Sequence, residues 1–402
     1  MPFFIIKGVK MNNINLIKTI EQTQYEDLSI YIHIPFCESR CYYCDFYSSV
    51  INTDTVNKYI NSIVKEISIY SKLIQSKKIE SIFIGGGTPS IIDSSHICKI
   101  LKALKNINSI ETAEITIEMN PNSITDTKIK EYKSAGINRF SIGAQSFNNK
   151  ILKSIGRIHK KEDIIKAADI LKNNKIENFS FDFMLALPYQ TMEDIKESIN
   201  MIKILEPSHV SYYSLIIEDN TIMHKIYNSN KDIFPDEEKD RKMYHYVVEQ
   251  LAENGYNQYE ISNFSKKGFE SVHNKRYWEL KNYIGLGASS HSNINNIRFF
   301  NHIDIEKYIK SINNNSLPIN SYEILSVKDR INEYMIMGLR MNNGINIDAV
   351  NSRFNIDIEN YYKDEINHNL KHNLIKIDNN SIKLTKKGMD LSNQVEVDFI
   401  KL

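Results

Sequence analysis

Between Ser29 and about Ser214, short apolar runs alternate with longer segments of helical periodicity. Six of the runs are short and rich in Ile and Phe, which is typical of buried parallel strands: Ser29–Ile34, Ser81–Ile84, Glu114–Glu118, Arg139–Ile142, Asn178–Phe183 and His209–Tyr213. The segments between them repeat apolar residues at helical spacing and predict helices at Thr55–Leu73, Ser94–Asn106, Asp126–Ala135, Lys161–Asn173 and Met192–Leu205. Thr125 and Thr191 are candidate N-caps of two of these helices.

Six strand–helix units in series predict an α/β fold with a parallel sheet and right-handed crossovers. Such a sheet can be open and doubly wound, or it can close into all or part of a barrel. A complete eight-fold barrel takes about 250 residues, so six units in this shorter stretch favour a partial (β/α)6 TIM-type barrel. In either arrangement, functional residues are expected beyond the carboxyl ends of the strands.

The pattern changes after Asp219. A helix is predicted at Asp236–Asn254, and short helices after Met341 precede a hairpin formed by Leu374–Ile377 and Ser381–Leu384. Helices with a small hairpin resemble a winged-helix module of the α+β class. We therefore divide the chain into an N-terminal extension at 1–27, a core at 28–265 and a C-terminal domain at 266–402.

Composition and charge narrow the function classes. The chain has 50 Lys and Arg against 49 Asp and Glu, and no basic block, which argues against nucleic acid as a partner. No apolar run is long enough to cross a membrane, and the apolar stretch Pro2–Ile6 is too short for a signal peptide. Three of the four cysteines fall within eight residues. This clustering favours a cytoplasmic protein whose thiolates serve a metal over a disulfide scaffold.

The clustered cysteines are Cys37, Cys41 and Cys44, in the pattern C-x3-C-x2-C on the loop after the first strand. A short loop lets three thiolates converge on one centre. A four-iron cluster normally takes four cysteines, so three leave one iron open for a further ligand. Two alternatives stay open: a zinc site completed by His33, and inert core cysteines. Cys98 lies in a predicted helix and is expected to be a small buried residue without a ligand role.

The cysteine pattern, followed by an aromatic-rich stretch, resembles the signature of radical S-adenosylmethionine proteins. The resemblance implies a [4Fe-4S] cluster whose open iron is chelated by the amino and carboxylate groups of S-adenosylmethionine. It further implies reductive cleavage of that cofactor to a 5′-deoxyadenosyl radical.

The same resemblance implies a set of cofactor contacts at successive strand ends. Tyr43 would lie near the adenine, and Glu118 would pair with the amino group or the ribose. The segment Gly85–Pro89 would contact the methionine part through backbone amides. The full set is Tyr31, Tyr43, Gly86, Gly87, Thr88, Glu118, Gln145, Arg157 and Asp182. For each of them an ordinary role in a turn or at a strand end remains the alternative.

Over most of its length the chain resembles the oxygen-independent coproporphyrinogen III oxidase group. The decarboxylating branch of that group usually has a further cysteine where Phe46 stands here, and a longer N-terminal region. A haem-chaperone branch carries H-N-x-x-Y-W, which occurs here as His273–Trp278. This motif favours the haem-chaperone branch. Radical decarboxylation of coproporphyrinogen III is the alternative, and an unrelated radical methylase or mutase is a third.

Membership in the haem-chaperone branch implies haem as a ligand and haem-acceptor proteins as partners, with peripheral membrane association as an option. His273 is the candidate axial ligand, since histidine ligates haem iron. The alternative is that His273 makes a structural hydrogen bond and that Tyr277 and Trp278 are core residues. The glycine-rich segment Ile284–Ser292 is expected near the barrel mouth, where His291 is a second haem candidate.

Overall fold

A computed structural model of the chain describes residues 19–20 and 25–401. The predictions for Pro2–Ile6 and for most of the extension 1–27 lie outside the described residues.

All six predicted strands are present, with ends shifted by a few residues, and they pair in parallel in chain order. They are β1 (Asp27–Ile34), β2 (Lys78–Gly86), β3 (Glu114–Met119), β4 (Arg139–Gln145), β5 (Phe179–Leu185) and β6 (His209–Ser214). The α/β part-barrel predicted from the sequence is therefore confirmed.

Six further strands, which the sequence analysis missed, widen this sheet on both sides. They are β7 (Asn257–Glu260), β8 (Asn263–Ser265), β9 (Tyr283–Leu286), β10 (His291–Ile294), β11 (Ile297–Asn301) and β12 (Ile319–Ile324). β8 pairs antiparallel with β6, and β9 pairs parallel with β1 before β10, β11 and β12 continue antiparallel. The sheet order is β12-β11-β10-β9-β1-β2-β3-β4-β5-β6-β8-β7. A two-residue parallel pair, Phe36–Cys37 with Ser49–Val50, lies outside this sheet.

Helices cover the outer face of the sheet, and the five predicted between the strands are all present. Thr125 accepts a hydrogen bond from the backbone of Lys128, and Thr191 forms a capping box with Asp194, so both predicted caps are confirmed. The helices of the barrel region are α1 (Thr53–Ile69), α2 (Ser71–Gln75), α3 (Ser94–Lys105), α4 (Asp126–Ala135), α5 (Asn149–Ser154), α6 (Lys161–Asn173), α7 (Met192–Leu205), α8 (Ile222–Ser229), α9 (Glu237–Glu253), α10 (Val272–Trp278) and α11 (Ile305–Asn313).

Alternation along the strands gives the sheet two chemically different faces. In β1, Leu28, Ile30, Ile32 and Ile34 are fully buried on the outer face. Fully burying one such side chain contributes about 1.5–3 kcal/mol, so this layer stabilises the fold. The intervening residues face the barrel interior and are largely polar: Ser29 and His33 in β1, Glu114, Thr116 and Glu118 in β3, and Ser180 and Asp182 in β5.

A second apolar core, from Ile331 to Phe399, forms the C-terminal domain, whereas the core of the barrel runs through to Tyr322. The predicted boundary at 266 therefore does not coincide with the division between the cores, because β9–β12 hydrogen-bond into the barrel sheet. The helices of this domain are α12 (Val327–Leu339), α13 (Ile347–Phe354), α14 (Ile358–Tyr361), α15 (Lys363–Lys371), α16 (Lys386–Asp390) and α17 (Ser392–Asp398).

The predicted hairpin is present in the C-terminal domain as β14 (Ile375–Asp378) and β15 (Ser381–Leu384). Its two turn residues, Asn379 and Asn380, have φ of 49° and 58°, as a type I′ turn requires. β13 (Ile345–Asn346) pairs with β15, which completes a three-stranded sheet beside helices, as expected for a winged-helix-like module.

A buried carboxylate ties α1 to the loop that follows β9. Glu66 is fully buried and accepts hydrogen bonds from the Gly287 amide at 2.8 Å, the Tyr308 hydroxyl at 2.6 Å and the Asn301 side chain at 2.8 Å. Burial raises the pKa of Glu66 to about 7, although these three donors act to lower it. Tyr59, two helical turns away on α1, donates to the carbonyl of His33 and accepts from the Ala288 amide. Glu66 and Tyr59 thus hold this loop against the end of β1.

This geometry predicts that Glu66 lowers the free energy of unfolding in a pH-dependent way. Because the folded protein binds the Glu66 proton more tightly than the unfolded chain, wild type should lose stability relative to Glu66→Gln as pH rises from about 4.5 to about 7, and not beyond. The measurement is the free energy of urea unfolding of both proteins across this range. The exposed Glu306 on α11 offers a control, Glu306→Gln, whose difference from wild type should not change in the same way. If the difference in free energy of unfolding between wild type and Glu66→Gln did not change with pH, the raised pKa of Glu66 would be contradicted.

Candidate cofactor site

The carboxyl ends of β1 and β2 bring the cysteine loop and the glycine segment into direct contact. The Gly87 amide donates to the carbonyl of Ile34 at 2.9 Å, and the Thr88 amide donates to the carbonyl of Phe36 at 2.8 Å. These two hydrogen bonds continue the pairing of the strands beyond their ends. The loop that carries Cys37 is therefore held in place by the glycine segment.

Two of the glycines are required by the geometry. Gly86 has φ of +111°, and a Cβ there would lie 2.5 Å from the ring of His33. A Cβ on Gly87 would lie 2.7 Å from the carbonyl oxygen of Phe36. Glycine therefore allows the backbone to approach its neighbours, and the Gly86 amide donates to the Glu118 carboxylate at 3.0 Å.

The three clustered cysteines carry free, partly exposed thiols on this loop. Burial raises the pKa of Cys37 and raises that of Cys44 to about 11, and the neighbouring thiols of the trio contribute in both cases. Binding of a metal centre would accordingly release protons from these thiols. Cys41 differs in its contacts, because its sulfur accepts a hydrogen bond from the Arg157 guanidinium at 3.4 Å.

The contacts of His33 bear on the zinc alternative. His33 does not join the cysteines: its Nδ1 is paired with the Tyr31 hydroxyl at 2.9 Å, and its ring packs beneath Gly86. Across residues 19–20 and 25–401, no three His, Cys, Asp or Glu side chains are placed to hold one metal ion. Three thiols on one loop, with a cation beside one of them, fit an anionic cluster held at three corners.

Arg157 is a partly buried cation with capacity for a further anionic partner. Besides Cys41, its guanidinium donates to the carbonyl of Gly143, and its Nε has no hydrogen-bond partner. It forms no ion pair with any carboxylate in the described part of the chain. The cofactor contact predicted for Arg157 is compatible with this position.

Asp182 finds its partners in two serines rather than in Arg157. Its carboxylate accepts from Ser141 at 2.8 Å and from Ser211 at 2.7 Å, on the strands to either side. These serines were missed by the sequence analysis, although both occupy inward positions in alternating strands. Burial raises the pKa of Asp182 despite the two hydroxyl donors.

Gln145 ends β4 in a strained conformation. Its φ is 63°, in the left-handed region, and the pairing of β4 with β5 is irregular between Gly143 and Gln145. Such strain is tolerated where surrounding structure enforces it, and it is common at functional sites. The side chain of Gln145 accepts a hydrogen bond from the Tyr213 hydroxyl at 3.4 Å.

Aromatic side chains form one wall of the mouth of the barrel, the end that carries the cysteine loop. Tyr43 and Tyr213 pack against a small apolar cluster that is separate from the main core and consists of Ile151, Ile155, Met184, Leu187 and Met223. Tyr31 faces the interior, where its ring stacks on Phe83 at 6.3 Å between centroids. An apolar wall with partly buried tyrosines suits the adenine contact predicted for Tyr43.

The structure therefore brings together nine of the predicted contacts and the three cysteines at one end of the barrel. His273 is not among them: its ring lies deeper in the interior, stacked on Phe83 at 5.1 Å between centroids. Cys98, which was expected to be buried, is only partly buried on α3, and its thiol lies 3.8 Å from the carbonyl oxygen of Glu131.

Comparison with known proteins decides the family. Residues 31–202 match the radical SAM superfamily, and residues 325–391 match the HemN C-terminal domain. The chain is 36% identical to the heme chaperone HemW of Lactococcus lactis over 92% of this chain and 97% of that protein. It is 32% identical to the heme chaperone HemW of Bacillus subtilis, over 92% and 99%.

The chain belongs to the HemW family of radical SAM proteins. A [4Fe-4S] cluster and S-adenosylmethionine are accordingly its cofactors. Coproporphyrinogen III oxidase (HemN) from Escherichia coli shares the fold, with a TM-score of 0.86 over 97% of this chain and 94% of that one, at 20% identity. The residue-by-residue cofactor contacts in this HemW-family protein remain predictions.

We expect replacement of Cys37, Cys41 and Cys44 by alanine to abolish the visible absorbance of the reconstituted cluster and its bound iron and sulfide, since these three thiols are the predicted protein ligands. The matched control is Cys98→Ala, which removes the fourth cysteine from a helix outside the site. A variant lacking all three loop cysteines that still bound four irons per chain would contradict the ligand assignment.

Glu118→Gln should weaken S-adenosylmethionine binding by about 10- to 100-fold, because hydrogen bonds to charged groups contribute about 1.5–3 kcal/mol. Iron content should not change. Titration of the cofactor against the electron paramagnetic resonance signal of the reduced cluster measures the dissociation constant. The exposed Glu111 provides the control Glu111→Gln. Equal dissociation constants for wild type and Glu118→Gln would exclude a direct contact.

Proposed function

We propose that this protein is a haem chaperone that binds haem and delivers it to acceptor proteins. The observation that carries the proposal is its similarity, along nearly the full length of both chains, to proteins named heme chaperone HemW. The H-N-x-x-Y-W motif at His273–Trp278 supports it. The acceptor proteins are unidentified.

Each part of the mouth has a role in holding the cofactors. Cys37, Cys41 and Cys44 would hold the cluster, and Arg157 would balance its negative charge beside Cys41. The amides of the glycine segment and the Glu118 carboxylate would orient the methionine part of S-adenosylmethionine. When bound, the cluster supplies an electron and an open coordination position.

We place the protein in the cytoplasm, which is supported by its four free cysteines. Within the described residues, no helix combines the length and apolar character needed to cross a bilayer. Peripheral association with a membrane is part of the proposal.

Oxidative decarboxylation of coproporphyrinogen III is the second candidate, favoured by the matched HemN C-terminal domain and the shared fold. At 20% identity, the HemN likeness concerns the fold alone. Phe46, at the position where the decarboxylating branch usually has a further cysteine, is 61% exposed beside the cluster loop. This difference is why we prefer the chaperone function.

An anaerobic experiment with the reconstituted protein separates the two functions. One aliquot receives coproporphyrinogen III, S-adenosylmethionine and a reductant, and the other is titrated with haem. We expect a saturable Soret band in the titration and no vinyl product in the assay. The proposal would be overturned if the protein did not bind haem stoichiometrically, or if it decarboxylated coproporphyrinogen III over multiple turnovers.

A further inference from the structure

We propose that the H-N-x-x-Y-W motif closes the amino end of the barrel and positions the cofactor site through a column of stacked rings, rather than supplying an axial haem ligand. His273 and Tyr277 are then positioning residues. This inference concerns the cofactor site and does not depend on haem being the cargo.

The motif lies beneath the amino ends of the strands. The Glu114 carboxylate, at the start of β3, accepts hydrogen bonds from the Val272 and His273 amides, both at 3.0 Å, at the first turn of α10. Arg276 forms an ion pair at 2.7 Å with Asp27, the first residue of β1. These contacts fix α10 across the end of the barrel opposite the cysteine loop.

Solvent exposure along the strands shows that the interior is closed at this end and open at the other. Six inward-facing residues near α10 are at most 2% exposed, namely Ser29, Ser81, Thr116, Arg139, Ser180 and His209, and His273 itself is 1% exposed. Glu114, which accepts from the α10 amides, is partly exposed. Farther along the same strands most inward-facing residues are partly exposed, namely Tyr31, Phe83, Glu118, Ser141, Asp182 and Tyr213, whereas His33 and Gln145 are buried. α10 is therefore the floor of a cavity whose mouth is the cofactor site.

Both ring nitrogens of His273 are engaged within this floor. Nδ1 pairs with the Ser81 hydroxyl at 2.8 Å, and Ser81 pairs with Ser29 at 2.7 Å. Nε2 pairs with the Tyr277 hydroxyl at 2.9 Å. Burial lowers the pKa of His273 to about 3, so the ring is neutral and donates from one nitrogen only. Axial ligation would require one of these hydrogen bonds to break inside a closed floor.

A column of rings leads from this floor to the mouth. The His273 ring stacks on Phe83 at 5.1 Å between centroids, and Phe83 stacks on Tyr31. The Tyr31 hydroxyl pairs with His33, whose ring lies directly beneath Gly86. A shift of His273 would therefore be transmitted through Phe83 and Tyr31 to the glycine segment.

The remaining aromatic of the motif also has a structural partner. The Arg340 guanidinium lies 4.6 Å from the centre of the Trp278 ring, where α12 of the C-terminal domain ends. The rings of Phe83 and Tyr31 lie between His273 and the mouth.

The test compares four substitutions in the reconstituted full-length protein. His273→Met can still ligate haem iron but forms neither hydrogen bond. His273→Asn places an amide near the Nδ1 position, where it can still pair with Ser81, but it is a poor haem ligand. Ser81→Ala and Tyr277→Phe remove one partner each and cannot themselves change the iron ligand. His368→Ala, at an exposed histidine of α15, is the control.

All variants are compared at matched iron content. The dissociation constant of S-adenosylmethionine is measured from the cofactor-induced change in the electron paramagnetic resonance signal of the cluster. A haem titration then gives the Soret maximum and the affinity for haem. We expect Ser81→Ala, Tyr277→Phe and His273→Met to weaken cofactor binding by about 3- to 10-fold. His273→Asn should be affected less than His273→Met. Haem spectra should match wild type throughout.

Two results would overturn the inference. One is a changed Soret band and weaker haem binding in His273→Asn while His273→Met retains wild-type haem affinity. The other is unchanged cofactor binding and resonance signal in both Ser81→Ala and Tyr277→Phe. If no variant, including wild type, binds haem, the proposed function fails, and the cofactor measurements still decide the role of His273.

Discussion

The alternation of apolar and polar side chains along six parallel strands is the constraint on which the rest of this structure depends. The Ile and Phe residues of the outer face bury themselves against the helices, which leaves the inner face free to carry serines, carboxylates and histidines. A cavity with polar walls can exist inside a stable protein only because the packing energy is supplied on the other side of the sheet. The cofactor site is the open end of that cavity.

The charged groups at the mouth and around it are held by neutral hydrogen-bond partners more often than by opposite charges. Asp182 is bound by two serine hydroxyls, and Glu66 by an amide, a tyrosine and an asparagine. Arg157 has a carbonyl and a thiol. Buried charge of this kind is costly unless it is hydrogen-bonded, and it leaves the site ready for ligands that bring charge of their own.

The sequence predicted some parts of the site well and others poorly. The cysteine spacing and the glycine segment are local features, so the loop that they form could be inferred with its neighbours unseen. Glu66 was visible as an acidic residue on the apolar face of its helix, yet its partners Gly287, Asn301 and Tyr308 are more than 200 residues away. The serines beside Asp182 could have been found from the inward positions of their strands. The strands β7–β12 were missed because they lie outside the repeating strand–helix pattern, and all of them except β9 pair only antiparallel.

By itself, the sequence determined the six strand–helix units, the cysteine loop with its three thiols and the hairpin of the C-terminal domain. These features depend on periodicity, residue spacing and turn residues, which are local properties of short stretches of chain. Only the tertiary structure decided that His273 lies beneath the barrel, with both nitrogens paired, and that the two apolar cores divide near residue 325. Those outcomes depend on which distant segments meet in space. A side chain's neighbours, and not its position in a motif, determine whether its polar atoms are free to bind a ligand.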